Sequence, residues 1–284
     1  MPIIYFTFSA TETKNPGLLR ILYRLKYKKN ISLHEAMHLD MSEKPELIRD
    51  DPVTCVRYID NRFRKMIKIL QNQDGHFKEH FVDDHFSRNE FQARGSVHKH
   101  GIFYCRDAPV LDESDPESIR KCCEFADKIA TCGDNPNNPL ILYQRHAHKA
   151  TCYKGRKNKL KHCRFNIPNF VMHETMILYP LKNGENSKIS HSKNLDRMKN
   201  MMEQFFQNNI LMNYAEMLEH LDLSHEGYIL AIRNSLNHAE LFLRRKSNEV
   251  AINAYNKIIL TLLESNMDIQ FVTDIYSCIT HIVK

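Results

Sequence analysis

The sequence predicts an α+β protein in which an antiparallel sheet is flanked by helices and followed by a mostly helical C-terminal part. Residues 2–8 alternate in polarity and carry Ile, Tyr, Phe and Thr, which favours a β-strand. Residues 86–105 contain two strand-like runs around the turn sequence ARGS at 93–96, a pattern typical of a β-hairpin. From Leu195 onward the apolar residues mostly follow a helical period.

The remaining elements of the N-terminal half follow from periodicity and composition. Apolar residues within 18–22 and within 52–70 recur at helical spacing among polar ones, which predicts a helix in each region. After the hairpin, the acidic segment 110–118 is predicted as a loop and residues 117–131 as a helix. The Asn-, Pro- and Gly-rich segment 133–139 is predicted as a loop.

The C-terminal half is predicted to be helical to Leu263 after a polar loop at 182–192. Short breaks are expected near Leu223-Ser224 and Ser247-Asn248. The final helix has an apolar face at i, i+3, i+4 and i+7, and a short strand follows at 268–272. That helical face comprises Tyr255, Ile258, Ile259 and Leu262.

Composition narrows the class of protein without identifying it. The chain has 284 residues, 42% of them apolar, which is enough to bury a core. Its net charge of +6 suits an anionic partner but is common among proteins in general. No run approaches the roughly 20 apolar residues of a membrane span, and residues 1–10 do not resemble a signal peptide. The protein is therefore expected to be intracellular, with no membrane partner, and its cysteines to be reduced thiols or metal ligands.

A pair of histidines is the sharpest chemical signal. His98 and His100 are two residues apart on a predicted strand, so their side chains point to the same face and could bind one divalent cation together. Glu90 or Gln92 on the neighbouring strand could supply a third ligand. The spacing alone is also compatible with two surface histidines that bind nothing.

The residues around this pair extend the signal. The string EFQARGSVHKH at 90–100 resembles the histidine-pair motif of Helitron transposon Rep proteins, which belong to the HUH endonuclease superfamily. Further blocks resemble the same family over nearly the whole chain: FTFSA at 6–10, LLRIL at 18–22, DPVTC at 51–55, NAYN at 253–256 and NMDIQFV at 266–272.

The resemblance implies a sheet of the HUH-endonuclease type and a metal-dependent activity. The expected activity is nicking and strand transfer on single-stranded DNA in rolling-circle transposition, with Mg²⁺ or Mn²⁺ held by His98, His100 and Glu90 or Gln92. Arg94 of the motif is expected to contact DNA. The resemblance also implies a nuclear location, a Rep core over residues 1–182 and a helical part of the helitron-like domain over 193–284.

Two features of the sequence test whether His98 and His100 belong to a metal site. The family has an apolar residue between the two histidines, whereas this chain has Lys99, which is expected to lie along the sheet edge with its amine in water unless the site is degraded. A four-residue loop at 93–96 would place Glu90 and Gln92 on the face opposite His98. The metal site therefore requires an odd-length loop or a bulge.

A second group of potential ligands lies in a proposed insert at about residues 143–168. His146, His148, Cys152 and Cys163 have the ligand types of a tetrahedral zinc site, with His162 and His173 as substitutes. The spacing is unlike common zinc fingers, so ordinary loop residues with a buried thiol are an equal alternative. The block ending CRFNIP at 163–168 also resembles a block of the family.

A basic segment separates the two cysteines of this group. It is either a solvated loop or a contact surface for the phosphates of single-stranded DNA. Aromatic residues nearby, Tyr143, Tyr153 and Phe165, are expected to pack in the core, with base stacking as the alternative. The basic residues are Lys154, Arg156, Lys157, Lys159 and Lys161.

The nucleophile of the family lacks a clear counterpart. Helitron Rep proteins carry two nucleophilic tyrosines, spaced Y-x-x-x-Y, just after the block that resembles residues 266–272. In this chain the first of these positions falls on His281, and the second lies beyond Lys284. Tyr276 is the remaining tyrosine of this segment and is kept as a candidate. The chain has no G-x-x-x-x-G-K-[ST] loop, so the helicase domain of the parent element is not expected here. Impaired nicking, a catalytically dead DNA-binding remnant and a non-functional transposon fragment remain open.

Overall fold

The computed structural model describes residues 3–72, 82–91, 97–153, 163, 165–182 and 188–273. In chain order its strands and helices are β1 Ile3–Ser9, α1 Pro16–Tyr27, α2 Leu33–Met37, α3 Glu43–Asp50, α4 Pro52–Leu70, β2 Val82–Phe91, β3 Val97–Cys105, α5 Pro116–Ile129, β4 Met176–Leu178, α6 Lys188–Asn208, α7 Tyr214–Leu221, α8 His225–Arg233, β5 Glu240–Phe242, α9 Lys257–Leu263 and β6 Met267–Phe271.

The described residues form an α+β fold around a four-stranded antiparallel sheet, as the sequence predicts. The strand order is β2-β3-β1-β6, so β3 and β1 are central and β2 and β6 form the edges. The predicted first strand, hairpin and last strand are all present. The sheet also joins the two predicted regions, since β6 pairs with β1 across almost the full length of the chain.

One face of the sheet packs into the main core. Phe6 and Phe8 of β1 are buried, and the Phe6 ring stacks on Phe103 of β3 with centroids 4.1 Å apart. Gly101 lies opposite Phe6 in the register, and a Cβ there would come within 2.6 Å of the Phe6 ring and 2.2 Å of a backbone oxygen on β2. The absence of a side chain at Gly101 therefore lets the ring lie flat on the sheet.

Helix α4 covers this core face and has the bounds that its sequence predicts. Asp51 caps its N-terminus by accepting a hydrogen bond from the Thr54 backbone N–H at 2.9 Å, and Pro52 occupies the first helical position. The apolar face buries Phe63, Met66 and other residues of the main core. This helix carries Asp60 and Phe63, which lie beneath β3, the strand with His98 and His100.

A second core is made by α6, α7 and α8 against the segments around β4 and β5. Its fully buried members include Met198, Met202 and Tyr228, and the Tyr228 hydroxyl donates to the Val171 carbonyl at 3.0 Å. The predicted polar loop at 182–192 is wrong in its second half, because α6 begins at Lys188. Residues 183–187 lie outside the described part of the chain.

The predicted helical continuity to Leu263 is wrong for residues 234–256. That stretch contains β5, which pairs with β4, and an irregular segment held by the buried Arg245. The Arg245 guanidinium donates to the carbonyls of Glu249 and Ile252, both at 2.6 Å, so this backbone is satisfied without a helix. Hydrogen bonds of this kind override the local apolar period.

The last helix is shorter than its apolar pattern predicts. Asn256 accepts from the backbone N–H groups of Ile258 and Ile259 and is the N-cap of α9, so Tyr255 lies outside the helix. The buried face is therefore Ile259, Leu260 and Leu263. Among the described residues, no helix has the length and apolar character to cross a membrane.

Candidate metal centres

The second face of the sheet collects polar side chains from all four strands. Strand register places Glu90 and Arg88 of β2 opposite His98 and His100 of β3. It also places Thr7 and Ser9 of β1 opposite the same histidines, and Asp268 and Gln270 of β6 opposite Thr7 and Tyr5. We call this set the histidine face; it comprises Tyr5, Thr7, Ser9, Arg88, Glu90, His98, His100, Asp268 and Gln270.

The two imidazoles on this face lie side by side. The His98 and His100 rings are nearly parallel, at 21°, with centroids 6.2 Å apart. The Tyr5 and Thr7 hydroxyls contact His100 Nδ1 at 2.9 and 3.1 Å, which leaves Nε2 directed away from β1. Burial lowers the pKa of His98, and the neighbouring His100 adds to this effect, so the neutral form that binds metals is favoured.

Glu90 is on the face that a metal site requires. It lies directly opposite His98 in the register of β2 and β3, so its side chain shares the face of the histidines. The number of residues between the two strands, 92–96, is odd, as the metal site requires. Glu90 Oε2 lies 2.7 Å from His100 Nε2. Gln92, the alternative ligand, lies outside the described residues, as does Arg94.

Asp268 and Gln270 are members of this face that sequence reasoning did not identify. Gln270 donates to Asp268 at 2.7 Å, and burial raises the pKa of Asp268. Their spacing of two residues on a predicted strand indicates a shared face. The pairing of β6 with β1, which brings that face to His100, depends on contacts more than 160 residues apart in sequence.

The prediction that the Lys99 amine lies in water is wrong. Lys99 points to the core face, is 5% exposed, and places Nζ 3.1 Å from Asp60 Oδ1 and 4.6 Å from the centre of the Phe63 ring. Both partners belong to α4, so the helix provides a charge and an aromatic face for the ammonium group. The lysine is thus accommodated without displacing the histidines.

The potential ligands in the segment predicted as an insert lie closer together than those on the histidine face. The potential ligand atoms of His146, His148, Cys152 and Cys163, here called the four-ligand cluster, all lie within 4.8 Å of one another. His146 Nε2 is 3.5 Å from Cys152 Sγ and 3.6 Å from Cys163 Sγ. These four residues could hold a metal ion.

The cluster is distinctive within the part of the chain that the structure describes. No other group of three or more His, Cys, Asp and Glu side chains there has its ligand atoms gathered in this way. His98, His100 and Glu90 would reach such an arrangement only after the exposed Glu90 side chain moves. Both cysteines are buried, at 2% and 4% exposure. Burial raises the pKa of the Cys163 thiol, although the backbone N–H groups of Phe165 and Ile167 oppose this.

His148 has an unsatisfied nitrogen at the cluster. Its Nδ1 is buried and has no hydrogen-bond partner among the described residues. Its Nε2 faces Glu203 of α6 at 4.0 Å, and its ring packs on Phe206 with centroids 4.3 Å apart. An uncoordinated buried nitrogen is costly, so a metal bound at Nδ1 would account for it, with Glu203 orienting the ring from behind.

Hydrogen bonds and side-chain packing connect the segment of the cluster to the sheet and to the C-terminal helices. Gln144 is fully buried, and its side chain bonds the Ser265 carbonyl at 2.8 Å and the Met267 N–H at 3.1 Å. His146 N–H donates to the Ala251 carbonyl at 2.7 Å. Phe206 packs against Cys152, Cys163 and Ile167, so the cluster joins its own segment to α6.

Other predicted residues are only partly placed. His173 stacks on Tyr214 and contacts His225, so it is not part of the cluster, and His162 lies outside the described residues. Of the three aromatic residues expected in the core, Tyr143 packs against the main core. Tyr153 and Phe165 are instead 36% and 53% exposed.

The remaining candidates lie outside the described residues. They are the two nucleophile candidates, Tyr276 and His281, and the basic residues Lys154, Arg156, Lys157, Lys159 and Lys161. Comparison with protein-family models, curated proteins and solved structures found no match. The fold and the cluster thus define an α+β protein with a candidate metal centre.

Proposed function

We propose that this chain is a helitron-like Rep domain whose HUH-type sheet binds single-stranded DNA through Mg²⁺ or Mn²⁺ on the histidine face. The observation that carries the proposal is the placement of the parallel His98 and His100 rings beside the Glu90 carboxylate on the adjacent strand. Two imidazoles and a carboxylate suit Mn²⁺ and leave coordination positions open for phosphate. Such a protein acts in the nucleus on transposon DNA.

The residues of the face have separate tasks in this proposal. A bound cation would polarise a phosphate oxygen of the scissile linkage. Tyr5 and Thr7 hold His100 through Nδ1 and so keep Nε2 available. Glu90, which contacts Nε2 without metal, has to move only its exposed side chain to become a ligand. Tyr276 is the tyrosine proposed to attack phosphorus, so that its oxygen bonds the 5′-phosphate while the bond from phosphorus to the 3′ oxygen breaks and that oxygen leaves as a hydroxyl.

The test uses labelled single-stranded DNA with and without Mn²⁺. Replacing both His98 and His100 by Ala is expected to abolish Mn²⁺-dependent binding and nicking. The matched control is His34→Ala with His38→Ala, because these histidines are also paired, with centroids 4.2 Å apart, but lie exposed at α2. Binding and nicking that do not depend on Mn²⁺ in the parent protein would overturn the proposal.

A DNA-binding remnant without catalysis is the second candidate, favoured by His281 at the expected nucleophile position. The two candidates differ in one product. A nicking enzyme leaves a covalent 5′-phosphotyrosine adduct that Tyr276→Phe removes, whereas the remnant gives Mn²⁺-dependent binding and no adduct. Mass spectrometry of the protein after incubation with DNA distinguishes them.

We further propose that the four-ligand cluster holds zinc. Tetrahedral bonds of about 2.3 Å to sulfur and about 2.0 Å to nitrogen place each nitrogen about 3.5 Å from each sulfur. The separations of 3.5 and 3.6 Å between His146 Nε2 and the two sulfurs agree with this distance. Two thiolates and two imidazoles also favour zinc over Mg²⁺ or Mn²⁺.

Metal analysis of the purified protein tests the zinc proposal. We expect one zinc ion per chain, lost in Cys163→Ser and retained in the control Cys123→Ser, whose half-buried thiol lies on α5 away from the cluster. Cobalt substitution should add thiolate-to-metal charge-transfer bands that Cys152→Ser weakens. Equal zinc content in the Cys163 and Cys123 variants would contradict the assignment.

A further inference from the structure

We infer that the four-ligand cluster carries its own binding surface for single-stranded DNA, formed by Tyr153, Phe165 and Lys149. We call these three residues the cluster surface. The inference takes its partner from the proposed function, but the surface belongs to different elements from the histidine face. It would make DNA binding depend on two metals with separate tasks, one at the phosphate and one as a scaffold.

The first observation is that two rings beside the cluster are left in solvent. Phe165 is 53% exposed and Tyr153 is 36% exposed, although each neighbours a buried cysteine. Tyr153 follows Cys152 directly, and Phe165 lies two residues after Cys163. Aromatic rings held at a surface in this way are the usual platform on which unpaired bases stack.

The second observation is that the ligands themselves hold these rings. Tyr153 packs on His148 with centroids 5.8 Å apart, and Phe165 meets His146 edge to face at 5.9 Å. The Phe165 backbone N–H also bonds the Cys163 sulfur. A metal that fixes the two histidines and the two cysteines therefore fixes both rings before DNA binds, which lowers the entropy lost on association.

The third observation is the positive charge near the two rings, which indicates an anionic partner. Lys149 is exposed beside the cluster, and its backbone N–H donates to Cys152 Sγ at 3.3 Å. The ten residues between Cys152 and Cys163 contain five basic residues and no acidic one. Glu203, the acidic residue near His148, faces its ring nitrogen. Two exposed rings near an exposed lysine, in a stretch of sequence with net positive charge, suit a flexible polyanion with accessible bases, and single-stranded DNA has this chemistry.

Fluorescence anisotropy with labelled oligothymidylate tests the inference on zinc-loaded protein without added Mn²⁺. Tyr153→Ala and Phe165→Ala should each weaken binding about tenfold, or about 1.4 kcal/mol, because each removes a ring on which a base stacks. Tyr153→Phe keeps the ring and should bind like the parent. The matched control is Tyr27→Ala: Tyr27 is 39% exposed and beside Lys26, but it lies on α1 next to acidic residues.

The same measurements in a protein carrying His98→Ala and His100→Ala separate this inference from the proposed function. Ring-dependent binding that persists there supports the cluster surface, even if Mn²⁺-dependent nicking is never found. Unchanged affinity in both ring variants, at parent zinc content, overturns the inference and leaves the histidine face untouched. An equal loss of affinity for duplex DNA would also overturn it, since paired bases cannot stack on the rings.

Discussion

At the scale of single residues, Lys99 shows how one charged side chain is placed beneath β3, the strand that carries His98 and His100. Its ammonium group has Asp60 and the Phe63 ring as partners, and Asp60 also bonds Arg64 at 2.6 Å. Burial acts to raise the pKa of Asp60, but the hydrogen bond and charge of Lys99, followed by Arg64, lower it. Asp60 therefore has two cationic partners, Lys99 and Arg64, whereas Lys99 has Asp60 as its anionic partner.

This asymmetry predicts unequal effects of removing either partner. Asp60→Ala leaves a buried ammonium group unpaired and should cost about 3 kcal/mol. Lys99→Met keeps the volume, leaves Asp60 with Arg64, and should change stability by less than about 1 kcal/mol. Urea unfolding of the three proteins measures both effects. A larger loss in Lys99→Met than in Asp60→Ala would show that the ion pair does not control this site.

The pH dependence of the Asp60 interaction has a defined sign. Because its folded-state pKa is lowered, its contribution is present above the unfolded-state pKa and is lost as pH falls through the folded-state value. The stability difference between the parent and Asp60→Ala should therefore narrow in acid. The same unfolding experiment repeated at several acidic pH values follows this change.

Glu203 permits a second prediction at the same scale. It faces His148 Nε2 across 4.0 Å, so a small movement of its side chain would let it accept from the Nε2–H and leave Nδ1 for a metal. Glu203→Gln should weaken zinc affinity about 10- to 100-fold without preventing folding. Competition with a chromophoric chelator measures this affinity. Glu219→Gln on α7 is the control, and equal affinity in the two variants would remove Glu203 from the site.

At the scale of elements, α4 begins where its sequence dictates. The Asp51 carboxylate accepts from the Thr54 backbone N–H and from the Thr54 hydroxyl at 2.6 Å. These bonds, the hydroxyl first, lower the pKa of Asp51. The cap fixes the start of the helix that carries Asp60 and Phe63 and so affects the support beneath β3.

The cap predicts a modest, pH-dependent contribution to stability. Asp51→Ala should cost about 1 kcal/mol at neutral pH, whereas Asp51→Asn keeps an acceptor and should cost less. Because the folded-state pKa of Asp51 is lowered, the advantage of the carboxylate over an amide is lost only as pH falls through that value, so the parent and Asp51→Asn should converge in acid. Thermal unfolding at neutral and acidic pH follows this, and a gap that widens in acid would contradict it.

At the scale of the whole molecule, the cluster connects otherwise separate parts of the chain. Gln144 ties its segment to β6, while Phe206 and Glu203 tie it to α6. The main core around the sheet does not include the cluster residues, whereas α6 belongs to the helical core. Loss of a metal bound to the cluster should therefore disturb the helical core before the sheet.

Removal of the proposed zinc ion by a chelator tests this coupling. Hydrogen exchange should increase in α6 and in residues 165–172, while β1 and β3 keep their protection. A bound ion present at about a thousand times its Kd stabilises the fold by about 4 kcal/mol, and this contribution should be lost. Cys163→Ser should reproduce the effect and Cys123→Ser should not. Uniform loss of protection across the sheet and α6 would contradict the coupling.

The sequence by itself determined the elements whose signals are local. Alternation defined β1, the apolar period within 52–70 defined α4, and the spacing of His98 and His100 put both rings on one face. The ligand types of the four-ligand cluster were also evident, because cysteines and histidines are recognisable without a fold. Each of these signals depends on neighbours only a few residues away.

Only the tertiary structure decided which of these residues meet. It joined Asp268 and Gln270 to the histidine face, buried Lys99 against α4, selected His148 over His173 as a cluster member, and left Tyr153 and Phe165 exposed. It also replaced the predicted helix at 234–256 with a segment held by Arg245. The physical reason is that strand pairing, burial and side-chain-to-backbone hydrogen bonds join residues far apart in sequence, which no local period encodes.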